Sequence, residues 1–259
     1  MLTKHSKLQY KGNPLLMPNL PQGEVTLVAI SAGAGEAKGN LEALGIESVT
    51  VSADKRLPLP ICDHPDIQML HLGNGDILTT TEHLCAGDLN EKFNTSLIGA
   101  ECSDKYPDDV LLNCTLIGRH IICNEKTVAR EVLEFAYNSG LNIINVNQGY
   151  SRCSVCVVDE NSIITDDIGI YRSAQFFLDD VLLVSKNSIR LDGYDYGFIG
   201  GCCGKIGKDK IGFNGRLESH SDYKMIEEFL ARHNVSAVEL ASGVLNDTGG
   251  ILPLLEIKP

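Results

Sequence analysis

The sequence predicts a five-bladed α/β propeller, its ring closed by pairing of the N- and C-terminal strands, and three observations lead there. A hairpin pattern recurs at nearly constant spacing, each recurrence is followed by a helical stretch and a further short strand, and the two chain ends carry complementary halves of one more unit. A unit of this size cannot bury its apolar face alone, so neighbouring units have to share their cores.

Residues 1–22, rich in Pro, Asn and Lys, read as an extension wrapping the outside, ahead of a single domain over 23–259. Val25–Ser31 is a β-branched run that lacks a hairpin partner before it; a helix follows over Glu36–Leu44 and a strand over Glu47–Ser52. The complete hairpins are Asp66–Leu78, Leu111–Ile122, Arg152–Ile164 and Gly200–Gly212. Superposed on Ile77, Ile121, Ile163 and Ile211, they repeat every 44, 42 and 48 residues. After them come helical stretches within 82–93, 125–140, 168–180 and 218–234, and then strands within 96–101, 141–147, 181–185 and 235–241. Val128, Val132, Leu133 and Ala136 show the three-to-four-residue apolar spacing of such a helix, and Asn124, Asp167 and Asn214 fall where caps or turns belong. Gly249–Ile257 is a first hairpin strand with no second one after it, so it can pair with Val25–Ser31 and complete a fifth unit.

Composition narrows the class. With 43% hydrophobic and 22% charged residues, the chain is ordinary globular material, and no apolar run reaches the length of a signal peptide or a membrane span. The expected setting is the cytoplasm, with no membrane partner. A formal charge of −12 repels phosphates, so no nucleic-acid partner is expected. Nine cysteines, an odd number at irregular spacing, fit free thiols in a reducing compartment. Oligomeric state is left open.

Two short segments carry candidate chemistry. His64-Pro65-Asp66 stands nine residues before the turn glycine Gly73, and Gly149-Tyr150-Ser151-Arg152-Cys153-Ser154-Val155-Cys156 opens a strand 89 residues, about two repeats, further on from His64. Plainer readings stand beside these. His64 next to Pro65 is equally a turn residue. Cys153 and Cys156 spell a redox or zinc pair, but positions three apart on a strand face opposite ways and no second pair has matching spacing. Inert packing suits Cys62, Cys85, Cys114, Cys123 and Cys156. Ala32-Gly33-Ala34-Gly35 lacks the rest of a phosphate-loop pattern.

A five-unit α/β propeller with these segments resembles the pentein-fold enzymes that modify guanidino groups: arginine and agmatine deiminases, dimethylarginine hydrolase and amidinotransferases. The resemblance implies that Cys153 is the nucleophile, His64 the general base and Asp66 a substrate carboxylate on the same strand face as His64. Asp247-Thr248-Gly249-Gly250 occupies the place of a Glu-Gly-Gly element, with Thr248 for the glutamate. Arg152, beside the nucleophile, is placed with these residues on the substrate side. Another aspartate is expected near Gly200–Gly204, where Asp195 is the nearest acid; the glycines around Cys202 let that thiol face the site. The nucleophile sits mid-chain rather than near the C-terminus, so the blades read as circularly permuted. The implied activity is a cysteine-dependent hydrolase or transferase acting on an amidine or guanidine C–N bond of a small cation, with no cofactor and no metal. The alternative is a non-catalytic binding propeller, resembling the translation factor that blocks ribosomal subunit joining.

Overall fold

The computed structural model describes residues 10–82, 84, 89 and 92–258. Its strands run in chain order as β1 (Asn13–Pro14), β2 (Glu24–Ser31), β3 (Glu47–Val51), β4 (Met69–Gly73), β5 (Asp76–Thr79) and β6 (Asn94–Leu97). They continue as β7 (Thr115–Ile117), β8 (His120–Cys123), β9 (Asn142–Asn145), β10 (Val155–Asp159), β11 (Ser162–Thr165) and β12 (Asp180–Leu183). The last are β13 (Cys203–Gly207), β14 (Lys210–Phe213), β15 (Ser236–Glu239) and β16 (Leu252–Ile257). Helices are α1 (Gly35–Ala43), α2 (Pro65–Gln68), α3 (Arg130–Asn138), α4 (Ile168–Ala174) and α5 (Tyr223–Arg232).

One pairing rule repeats through the chain. An antiparallel pair is followed by a parallel third strand in β4-β5-β6, β7-β8-β9, β10-β11-β12 and β13-β14-β15. The same rule joins the ends: β16 lies antiparallel to β2, from Leu252 opposite Ala29 to Ile257 opposite Glu24, and β2 is parallel to β3. A single bridge, Gly207 to Glu24, links this unit to β13. The fold is thus mixed α/β, with one seven-stranded sheet, three three-stranded sheets and, among the described residues, no closed barrel.

The local reasons are visible in sequence. The β4-β5 turn is Asn74-Gly75, both at positive φ (53° and 89°), the left-handed pair that matches the twist of a two-residue hairpin. Asp167 caps α4, its carboxylate accepting from the backbone N–H of Gly169 and Ile170. Each longer helix covers a sheet with its apolar stripe. Ala37 and Leu41 of α1 join a cluster with Val28 and Ile30, Val132 and Ala136 of α3 one with Ile121 and Cys123, and Phe229 of α5 one with Phe213. Burial of a side chain as large as Phe229 contributes about 1.5–3 kcal/mol. No described helix is long and apolar enough to cross a membrane.

The helix expected within 82–93 falls largely outside the described residues, as does Cys85. In the N-terminal stretch, β1 pairs with β16, and Leu15 and Leu20 are buried. That part of the extension therefore belongs to the packed structure, because its leucines supply apolar area that the core uses.

Candidate active site

Pro65 at the first helical position starts a single turn of helix in which His64 is the N-cap and Asp66 lies in the first turn. The strand expected over this stretch begins only at Met69. Asp66 consequently does not share a strand face with His64; its backbone N–H donates to Gly249 O at 3.3 Å, and its carboxylate is buried.

Cys153 lies in a turn two residues ahead of β10. Its Sγ donates to Asp66 Oδ2 at 3.0 Å and accepts from Asn113 Nδ2 at 3.0 Å. Asn113, two residues ahead of β7, ties the corner together: its Oδ1 accepts from the backbone N–H of Arg152 (2.7 Å) and Cys153 (3.3 Å), and its Nδ2 donates to Asp66 O (3.0 Å). Asp247, in the segment leading to β16, accepts from the N–H of Phe198 (2.9 Å) and Gly249 (3.1 Å), and its Oδ1 stands 3.9 Å from His64 Nδ1. Gly201, just ahead of β13, donates its N–H to Cys153 O at 2.9 Å. The segment preceding the first strand of every unit therefore meets its counterparts at one place. Glycine is required at Gly201, since a Cβ there would lie 2.0 Å from Asp247 Oδ1.

Electrostatics set the resting state of the thiol. Burial pushes the Cys153 pKa well above the usual thiol range, and the charges of Asp66 and Asp247 and the hydrogen bond to Asp66 push it the same way; the Asn113 amide pulls it down. Sequence resemblance implies an imidazole partner that lowers the thiol pKa. Instead, the group bonded to the sulfur is a carboxylate, so the resting side chain is a protonated thiol. Burial also raises Asp247, opposed by the nearby His64 and reinforced by Asp66.

A cavity of about 210 Å³ opens onto this cluster. Cys153, His64 and Asp247 line it, and Asp195 joins them from the loop before β13. Other predicted contacts point elsewhere. The Arg152 guanidinium donates from Nη1 to the carbonyls of Val155 (3.2 Å) and Gly200 (3.4 Å), and Cys202 Sγ donates to Ile199 O (3.2 Å) within an apolar cluster. Thr248 Oγ1 accepts from Asn214 Nδ2 at 3.1 Å. Gly249, at φ +77°, backs onto His64, where an added Cβ would stand 2.5 Å from the His64 Cβ, and Gly250 donates its N–H to Gly201 O at 2.7 Å. None of these five residues lines the cavity, and neither does Asp66, whose carboxylate reaches the site only through the Cys153 sulfur. A larger open cleft of about 1260 Å³ runs past Asp159, Lys205 and His233, and no cysteine lines it.

Asn113 and the cavity-lining Tyr194, Tyr196 and Phe198 are residues that sequence reasoning missed, as is Asp166, which braces the neighbouring loop. Aligning the repeats gives a signal for Asn113, which stands just ahead of its first strand as Cys153 and Gly201 do. Asp166 Oδ2 accepts from Ile199 N–H at 2.8 Å and anchors the loop that carries Asp195. Burial raises its pKa to about 7. Below pH 3.8 folded and unfolded chains both hold this proton; between there and about 7 only the folded chain does, so stability falls as pH rises through that window and the contribution is lost above it. Asp166→Asn should therefore stabilise the protein by roughly 1–3 kcal/mol at pH 8 and have little effect near pH 4, as read by urea unfolding at both pH values.

Solved structures identify the fold. The chain is similar to SxtG, an amidinotransferase from Microseira wollei in the saxitoxin biosynthetic pathway, with 9% identity, TM-score 0.56, and coverage of 96% of this chain and 98% of that one. Inosamine-phosphate amidinotransferase from Streptomyces griseus matches at 11% identity and TM-score 0.56, covering 98% of both chains. Agmatine deiminase from C. jejuni matches at 9% identity and TM-score 0.52, covering 93% of this chain and 96% of that one. The likeness establishes the pentein fold of the guanidino-group-modifying enzymes. By sequence, the chain belongs to the family described as a family of unknown function (DUF6873), which matches residues 30–252. No curated protein matches it in sequence.

Proposed function

We propose that this protein is a cysteine-dependent enzyme that breaks a C–N bond of an amidine or guanidine in a small cationic substrate. The observation that carries the proposal is the convergence of Cys153, His64 and Asp247 on one cavity, with Asp66 hydrogen-bonded to the cysteine. The shared fold of amidinotransferases and a deiminase adds to it by analogy. In the same reading, the five strand units are the blades of a propeller whose order along the chain is circularly permuted relative to those enzymes.

The carboxylates that hold the thiol protonated are the groups whose charge a cation would offset. An amidinium bound beside Asp247 offsets the charge of both acids, draws the Asp66 lone pairs away from sulfur and lowers the thiol pKa. His64 takes the thiol proton as sulfur bonds to the amidinium carbon, and then gives it to the departing amine as the C–N bond breaks. Water, losing a proton to His64, attacks the resulting thio-amidinium carbon. The C–S bond breaks as the carbonyl forms, the thiolate recovers the proton from His64, and the hydroxyl proton passes to solvent, releasing an amide or urea. An amine in place of water would give a transferase. In this account Asp247, which lines the cavity, is the substrate contact, and Asp66, bonded to the sulfur from behind the cavity wall, is the lock on the nucleophile.

Alkylation of Cys153 tests this. Cationic chloroacetamidine should label it at least about tenfold faster than neutral chloroacetamide near pH 7, because only the cation releases the thiol proton. Asp66→Asn should speed labelling by the neutral reagent and slow it by the cationic one, moving the pH profile of the neutral reaction downward. Equal rates for both reagents in the wild type would count against the mechanism.

A further inference from the structure

Resting on the reading just given, we infer that the substrate carries no anionic group and bears an apolar, preferably aromatic, substituent on its amidine or guanidine. The cavity walls decide this. Four aromatic side chains, Tyr150, Tyr194, Tyr196 and Phe198, line the cavity together with Ile61, Ile67 and Leu191. The rings brace one another: Tyr150 stacks on Phe198 at 6.0 Å with planes 20° apart, and Tyr196 meets the edge of Phe198 at 5.8 Å. Tyr150 is pinned by a hydrogen bond from its hydroxyl to Asp109 Oδ2. Such walls are set before a ligand arrives, so a flat apolar group can enter with little loss of side-chain freedom, and a cation gains from the ring faces.

Charge around the cavity is one-sided. Asp195 and Asp247 line it, and among the described residues no lysine or arginine does. The nearest candidates are committed elsewhere. Arg152 is turned onto two backbone carbonyls; Lys186 stands over the Tyr196 ring, 5.8 Å from its centroid, and 3.8 Å from Asp167; Arg190 holds Asp192 at 2.6 Å. A carboxylate or phosphate on the substrate would therefore meet two acids and no counter-charge, which costs affinity for an anion as it favours a cation. Asp195 and Tyr194 are exposed at the mouth, where the far end of a substrate would lie.

The test is protection of Cys153 from chloroacetamidine, measured by peptide mapping, with three competitors. Phenylguanidine should protect at concentrations at least about tenfold below those needed with 4-guanidinobenzoate, the same ring with a carboxylate, and also below those needed with methylguanidine. Tyr194→Arg, a change at an exposed position that the fold should tolerate, should narrow or invert the preference by supplying the missing cation. Wild-type protection by 4-guanidinobenzoate equal to or better than phenylguanidine would overturn the exclusion of anions. Protection by methylguanidine as good as phenylguanidine would overturn the aromatic preference. Both results leave the cysteine chemistry standing, whereas failure of chloroacetamidine to label Cys153 at all would remove the underlying reading and this inference with it.

Discussion

Cys153→Ala is expected to abolish turnover of amidines and guanidines, lowering ammonia or amine release by at least about a thousandfold, while the protein stays folded. The scale follows from the chemistry: without sulfur there is no covalent intermediate, and the remaining carboxylates and imidazole can only position water. Folding should survive because the change removes one sulfur and its hydrogen bonds to Asp66 and Asn113, leaving the backbone contacts of the turn in place. A ligand-bound melting curve for Cys153→Ala would then report binding without turnover, which separates loss of chemistry from loss of the site.

Deletion of residues 252–259 is expected to unfold the whole chain at room temperature. β16 is paired along its length with β2 and carries Leu252, Leu254 and Leu255, all buried. Cutting one such leucine to alanine costs about 2–5 kcal/mol, and losing all three together with a strand approaches or exceeds the 5–15 kcal/mol that holds a typical domain folded. β2 would in addition be left with an unpaired edge. Leu254→Ala is the milder version, with an expected loss of about 2–5 kcal/mol in urea unfolding. A truncated chain that melts at the wild-type temperature would show that the terminal pairing is dispensable.

Much of this architecture is legible in the sequence because it rests on local patterns that repeat. Spacing of the hairpins, the helical period after each and the unmatched strands at the ends foretell the observed pairing rule, including β16 against β2. His64 and Cys153 come to notice together only through the family resemblance, since His64 stands five residues ahead of the first strand of its unit and Cys153 two. Side-chain direction is the part that local pattern does not carry. Pro65 turns the predicted strand at Asp66 into helix, which carries that carboxylate to the cysteine sulfur. Arg152 and Cys153 are neighbours in sequence, yet the backbone carbonyls of Val155 and Gly200 draw the arginine away from the cavity. Asn113 becomes meaningful only once three segments distant in sequence are brought together, since its amide serves Asp66, Arg152 and Cys153 at the same time. Cys202, flanked by glycines, reads as accessible; in three dimensions those glycines admit Asp247 and neighbouring backbone, and the thiol faces the core.

The central claim is that Cys153 forms a covalent bond to an amidine carbon, and the most direct measurement is acid-quench mass spectrometry of the wild-type protein during incubation with phenylguanidine, followed by peptide mapping. The account predicts an amidino-type adduct on Cys153 that builds up within the first turnovers, is cleared as substrate runs out and is missing in Cys153→Ala. An adduct confined to Cys202 or Cys203, product release that persists in Cys153→Ala, or binding of the cation with neither adduct nor product would contradict it; the last result would mark the protein as one that binds without catalysing.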